Sequence, residues 1–166
     1  LIIYVPKFDY IQGRIFSFFN RDTGTHNFQS DKAIESITSG GFFGKGIGEG
    51  TLKNRVPEAH TDYIISVISE EFGVVAIILI LISFLVLIYM VLKKINYEKS
   101  EKIKLILIGC VSLILMQATI HIGVNIRLFP TTGMTLPFLS YGGSSIVSIS
   151  ILSGIILNLT KRKINH

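Results

Sequence analysis

From Val74 to Leu92 the chain reads VVAIILILISFLVLIYMVL, without a single charged residue. A helix of about 20 such residues is long enough to cross the hydrocarbon core of a bilayer. In water that helix would be apolar on every face. The run predicts a membrane-spanning helix over 74–92, and the rest of the chain must be arranged around it. Two further uncharged runs, 105–126 and 142–160, predict two more spans. The third carries the small residues Ser148, Ser150, Ser153 and Gly154, which permit close helix packing. The expected fold class is an all-α integral membrane protein.

Composition agrees. Of 166 residues, 49% are hydrophobic and 16% charged, whereas soluble domains average about 25% charged. The same figures exclude a disordered chain. Cys110 is the only cysteine, so no internal disulfide forms, and a structural zinc site lacks its usual ligands. The net charge of +5 raises nucleic acid as a partner, but the placement of the charges explains it otherwise. Five lysines (Lys93, Lys94, Lys99, Lys102, Lys104) crowd segment 93–104, and Lys161, Arg162 and Lys163 follow the last run. The positive-inside rule places both segments in the cytoplasm. Segments 6–73 and 127–141 then lie outside. The first holds seven basic and nine acidic residues, and the second only Arg127. The excess positive charge is topological, and no nucleic-acid partner is expected.

The chain opens at Leu1–Val5, an apolar stub ending at Pro6, with neither a basic leader nor a small-residue cleavage site. It is expected to be the end of a membrane helix, which makes this chain the C-terminal part of a larger protein. The tail, 161–166, is expected to be cytoplasmic.

Three polar groups interrupt the second span. Gln117, His121 and Asn125 stand four apart and share one helix face. Either they form a hydrogen-bond stripe between helices, or they line a cavity that touches substrate.

The outer region 6–73 has three notable stretches. Ser30 to Ile37 predicts a short amphipathic helix capped by Ser30. Ser39 to Gly50, SGGFFGKGIGEG, lacks the Gly-Lys-Ser/Thr ending of a Walker loop. It is either a re-entrant loop with Phe42 and Phe43 at the interface, or a nest of N–H groups for an anionic head group. Pro57 to Phe72 predicts a helix starting at Pro57, with Glu58 and Asp62 on one face. A carboxylate at a membrane boundary near Lys53 and Arg55 can serve as a general base, and the basic groups can hold phosphate. Acids near a helix N-terminus also stabilise it without any catalytic role.

Three blocks then become recognisable: NFQSDKAIESITSGGFFGKG (27–46), GEGTLKNRVPEAHTDYIISVISEEFG (48–73) and NIRLFPTTGMTLPFLSYGGSS (125–145). Together they resemble the SEDS family (shape, elongation, division and sporulation) over nearly the whole chain after Arg14. Thr135-Leu136-Pro137 after Gly133-Met134, and Gly48 to Thr51 followed by Lys53, look like its cell-division branch rather than its elongation branch. One departure is Thr132, which stands where the division branch commonly carries lysine.

The resemblance implies a bundle of about ten membrane helices, of which this chain holds the last three plus a large outer loop with short helices. It implies a peptidoglycan glycosyltransferase that polymerises lipid II during septal wall synthesis, with a class B penicillin-binding protein and other division proteins as partners, in the bacterial cytoplasmic membrane. The family's essential aspartate falls on Asp62. Candidates for contact with the head group or pyrophosphate are Lys45, Lys53, Arg55, Glu58, His60, Thr61, Gln117, His121, Asn125, Arg127, Ser140, Tyr141, Gly142 and Gly143. A divalent cation, Mg or Mn, is implied at the pyrophosphate. With three spans alone, the fragment is expected to be inactive. Alternatives are a lipid II flippase using the polar stripe, or a truncated, non-catalytic division scaffold.

Overall fold

The computed structural model describes residues 25–56 and 58–161. The expected helix end at 1–5, the proposed helix start at Pro57 and the tail beyond Lys161 lie outside the described residues. Five helices are present: α1 (Thr25–Gly40), α2 (Leu52–Arg55), α3 (Ile64–Tyr97), α4 (Glu101–Asn125) and α5 (Gly143–Thr160). No strand occurs among the described residues.

Helices α3, α4 and α5 are each long and apolar enough to cross a membrane, as the three uncharged runs predict. Segment 98–100 turns α3 back against α4. Glu98 Oε1 accepts the N–H groups of Lys99 (3.1 Å) and Ser100 (3.3 Å). So short a connection makes the two helices antiparallel neighbours. The lysine-rich turn and the end of α5 therefore sit at one end of the bundle. Helices α1 and α2 and segment 127–142 sit at the other.

Two apolar cores result. The larger joins Phe84, Val91 and Ile95 of α3, Leu107, Cys110, Val111, Ile114 and Ala118 of α4, and Ile149 and Ile156 of α5. The smaller lies at the loop-rich end and joins Ala33, Leu52, Val56, Ala59, Tyr63, Val67 and Val124. Outside these cores, large apolar side chains such as Leu79, Leu85, Tyr89, Leu105 and Leu157 are exposed. A water-soluble monomer rarely carries apolar surface on that scale, and lipid or further helices suit it.

Helix α3 is longer than the predicted span because it begins at Ile64, but it is not continuous. Gly73 has φ 76° and ψ −174°, a region essentially open to glycine alone. The break leaves carbonyls before it and N–H groups after it without helical partners. The glycine-rich loop supplies them. Lys45 and Gly46 donate N–H to the carbonyls of Glu70 (2.9 Å) and Glu71 (3.1 Å), while Val74 and Val75 donate to the carbonyls of Gly41 (3.0 Å) and Phe42 (3.5 Å). The backbones approach so closely that a Cβ on Gly44 would lie 2.2 Å from the Glu71 carbonyl oxygen.

That arrangement decides the expectation for Ser39 to Gly50. The N–H groups of Lys45 and Gly46 are spent on α3 and are not presented as an anion nest. Two helix predictions are also corrected. Helix α1 runs from Thr25 to Gly40, so Ser30 is interior rather than a cap. Residues 58–63 form turns, not the start of a helix. Glu58 and Asp62 therefore do not share a helix face; instead the Glu58 carbonyl accepts the N–H groups of Thr61 (3.1 Å) and Asp62 (3.0 Å).

Candidate active site

Asp62 sits in the turn 58–63, immediately before α3. Each of three consecutive carbonyls in this turn is held from outside it. The His60 carbonyl accepts the N–H of Tyr141 at 3.2 Å. The Thr61 carbonyl accepts Ser140 Oγ at 2.5 Å and faces His121 Nε2 at 3.3 Å. The Asp62 carbonyl accepts Asn125 Nδ2 at 2.9 Å. Tyr63, buried beneath the turn, has its hydroxyl 3.3 Å from Ser30 Oγ. Burial pushes that phenol's pKa up. Across the turn lies Gly133, with φ 71°, where an added Cβ would stand 4.0 Å from Asp62 Oδ2. Gly133 thus brings its backbone near the Asp62 carboxylate.

The polar stripe resolves into structural bonds. Gln117 Nε2 donates to the Thr135 carbonyl (2.8 Å) and to Ser145 Oγ (3.1 Å), which ties α4 to the loop before α5 and to α5 itself. His121 and Asn125 are both 0% exposed. A proton on His121 Nε2 serves the Thr61 carbonyl and leaves Nδ1 as an acceptor, 3.4 Å from Asn125 Nδ2. The stripe thus stitches the Asp62 turn and the 135–145 segment onto α4.

The other candidates divide by location. Ser140 and the Tyr141 backbone belong to the clamp on the turn, while the Tyr141 side chain is exposed. Gly142 is the N-cap residue of α5, and a Cβ added to it would stand 3.1 Å from the Thr135 side chain. Nothing crowds Gly143. His60 is exposed, Thr61 is half-buried, and Glu58 accepts Gln29 Nε2 at 2.9 Å. Arg127 pairs with Asp31 of α1.

Lys45 and Arg55 line a separate recess with Lys32, Glu35, Thr51 and Glu70, in which Asp62 has no part. Lys53 lies in α2. Arg55, expected beside Asp62, is therefore gathered with Lys45 around a different carboxylate. Glu70 is 1% exposed and receives Lys45 Nζ (2.8 Å), Thr51 Oγ1 (3.1 Å) and the Leu52 N–H (3.0 Å). Sequence reasoning missed Glu70, Ser66 and the break at Gly73. A glycine between two helical stretches, just after Glu70-Glu71, was the available signal for the last.

Glu70 precedes the break and lies outside the apolar run. Burial pushes its pKa up, but the Lys45 ammonium and the Thr51 and Leu52 donors outweigh this and hold it down to about 2, against an ordinary 4.5. A depressed folded-state pKa stabilises the protein above the unfolded value, and the contribution disappears as pH falls through the folded one. Stability on the order of 2–3 kcal/mol is expected to be lost between about pH 4.5 and pH 2, reduced by the solvent that reaches Lys45. Thermal unfolding as a function of pH checks this. Wild type should lose stability through that window, and Glu70→Gln should be flatter; parallel curves would remove Glu70 as the titrating group.

Three apolar helices, with a carboxylate-bearing turn clamped at one end, define an integral membrane protein with a candidate site at that end of the bundle. The chain belongs to the FtsW/RodA/SpoVE family of cell cycle proteins, which matches residues 1–165. It is 39% identical over 140 residues to the probable peptidoglycan glycosyltransferase FtsW of Enterococcus hirae, covering 84% of this chain and 35% of that protein. It is 38% identical over 157 residues to the probable FtsW of Caulobacter vibrioides, covering 94% and 40%. It is 36% identical over 151 residues to the stage V sporulation protein E of Bacillus subtilis, covering 89% and 41%. A chain from a solved peptidoglycan synthase complex that coordinates polymerization and crosslinking shares the fold, with a TM-score of 0.69 and 25% identity over 95% of this chain and 42% of that one. The chain therefore spans less than half the length of these relatives.

Proposed function

We propose that this chain forms the outer-loop site and three membrane helices of a peptidoglycan glycosyltransferase that polymerises lipid II at the division septum. The carrying observation is Asp62, whose turn is pinned through three successive carbonyls at the end of a membrane bundle. Asp62 acts as general base. It takes the proton from an acceptor sugar hydroxyl, and that oxygen forms a bond to the anomeric carbon of the donor. The bond from that carbon to the pyrophosphate oxygen breaks, and its electron pair leaves with undecaprenyl pyrophosphate. The segment around Gly133, whose backbone lies near the carboxylate, forms one wall of the site.

The resemblance also implies Mg²⁺ or Mn²⁺. Among the described residues no group of three or more acidic, histidine or cysteine side chains is placed to hold a metal. Such an ion would take most of its ligands from substrate phosphates and water, where it would offset charge on the leaving group. No step above depends on it. Class B penicillin-binding protein, division proteins, and a cytoplasmic C-terminus at the septum complete the reading. The transport alternative relied on a polar stripe open to a head group, and His121 and Asn125 are instead buried and bonded within the protein.

The test uses the complete protein, purified with its transpeptidase and given labelled lipid II. Glycan polymer from wild type, and none from Asp62→Asn, is the expected gel. Polymer from both removes Asp62 from the chemistry. Polymer from neither, with lipid II still bound, turns the reading to transport or scaffolding.

A further inference from the structure

The two peptide planes that flank the Asp62 α-carbon are both fixed by groups outside the turn. The plane ending in the Thr61 carbonyl is held by Ser140 and His121. The plane carrying the Asp62 carbonyl is held by Asn125. With both planes pinned, the backbone dihedrals of Asp62 are set, and only its two side-chain torsions remain free.

Asn125 does more than one job. Its Nδ2 donates to the Asp62 carbonyl and to the His121 carbonyl, each at 2.9 Å. Its Oδ1 accepts Ser66 Oγ at 2.7 Å and the Ser66 N–H at 3.2 Å. Ser66 is in the first turn of α3, where N–H groups lack helical partners. Asn125 therefore caps α3 from a neighbouring helix while holding the residue that precedes it in the turn. Both donors and the acceptor of the amide are occupied and fully buried, so nothing is left to face a substrate.

We infer that Asn125 is a positioning residue for Asp62: it fixes the base relative to α3 and α4 by bonding the Asp62 carbonyl and Ser66 simultaneously. This rests on the reading of Asp62 as the general base. The physical consequence is a rate effect without a binding effect. Misplacing a reacting group by about 1 Å costs on the order of 10²-fold in rate, whereas the surface that receives the lipid-linked substrate is unchanged.

The experiment compares wild type, Asp62→Asn, Asn125→Leu and Ser66→Ala in the complete protein with its transpeptidase. Initial rates of polymerisation are measured against lipid II concentration. They are divided by the number of molecules that bind lipid II, so that a loss of folded protein does not register as a loss of rate. Asn125→Leu keeps the size of the side chain and removes all of its hydrogen bonds. It is expected to lower kcat about 10- to 100-fold and leave KM within about twofold. Ser66→Ala, which deletes one bond and is the gentler change if Asn125→Leu does not fold, is expected to lower kcat less, in the same direction. In an Asp62→Glu background, whose longer side chain already misplaces the carboxylate, Asn125→Leu is expected to cost less than in wild type. A purely structural Asn125 would cost the same in both.

Two results overturn the inference. One is wild-type kcat per binding molecule in both Asn125→Leu and Ser66→Ala while Asp62→Asn is dead. The other is a raised KM with kcat retained, which would make Asn125 a substrate contact. A fully active Asp62→Asn overturns the reading of the base itself, and is distinguishable from either.

Discussion

Asp62→Asn is expected to lower polymerisation by about 10²- to 10⁴-fold while lipid II still binds. The asparagine keeps the shape of the carboxylate and the backbone bonds of the turn, because the clamp acts on carbonyls and not on the side chain. It removes the carboxylate proposed to accept the proton of the incoming hydroxyl. Folding should therefore be preserved, and melting curves of the two proteins should coincide within a degree or two. The loss should fall on kcat and leave KM largely unchanged, since a general base contributes in the transition state rather than in ground-state binding. Gel-resolved polymerisation alongside a lipid II binding assay checks this. A variant that loses binding and polymer together would place Asp62 in substrate recognition instead.

The second large effect is structural. Gly73→Ala is expected to cost roughly 3–5 kcal/mol and to release the glycine-rich loop. At φ 76° and ψ −174° the backbone is open to glycine alone, and the new Cβ would lie 2.2 Å from the Phe42 carbonyl oxygen and 2.6 Å from the Gly44 nitrogen. Both contacts are with backbone, so no side chain can swing away. Relief requires the loop to lift off. That breaks the bonds from Val74 and Val75 to Gly41 and Phe42, and those from Lys45 and Gly46 to Glu70 and Glu71. Lys45 leaves Glu70 with them, so a buried carboxylate loses its counter-ion. Faster proteolysis at Lys45 and a lower Tm are the readouts. Gly109→Ala is the control: it is helical, and nothing lies within 4 Å of its added Cβ, so it should be neutral or slightly stabilising. Equal protease resistance in Gly73→Ala and wild type would show that the loop is not held at the break.

The reading of the outer loop as fold and the reading of Asp62 as chemistry were not equally legible in the residues. The three spans stood out because a membrane helix needs only length and the absence of charge, both visible locally. Asp62 stood out through a motif, Pro-Glu-Ala-His-Thr-Asp, and not through its spacing. The spacing suggested a helical face shared with Glu58, and the structure has a turn there instead. Arg55 was expected near Asp62, and Lys45 among the head-group contacts, because both are near the motif in sequence. In the fold they surround Glu70, which comes later in the chain and is brought back by the packing of the loop on α3.

The sequence by itself determined the class of this protein, its three spans, the distribution of its charges and the identity of the carboxylate on which the proposed chemistry depends. Each follows from local composition or from a contiguous motif. Only the tertiary structure decided the partners of the polar groups: Asn125 with Asp62 and Ser66, Gln117 with Thr135 and Ser145, Glu70 with Lys45 and Thr51, and the glycine-rich loop with the break at Gly73. The physical reason is that a buried polar group must find a partner, but any of many donors and acceptors satisfies that demand. Which one does depends on segments far apart in the chain arriving at the same place, and no local pattern of residues records that.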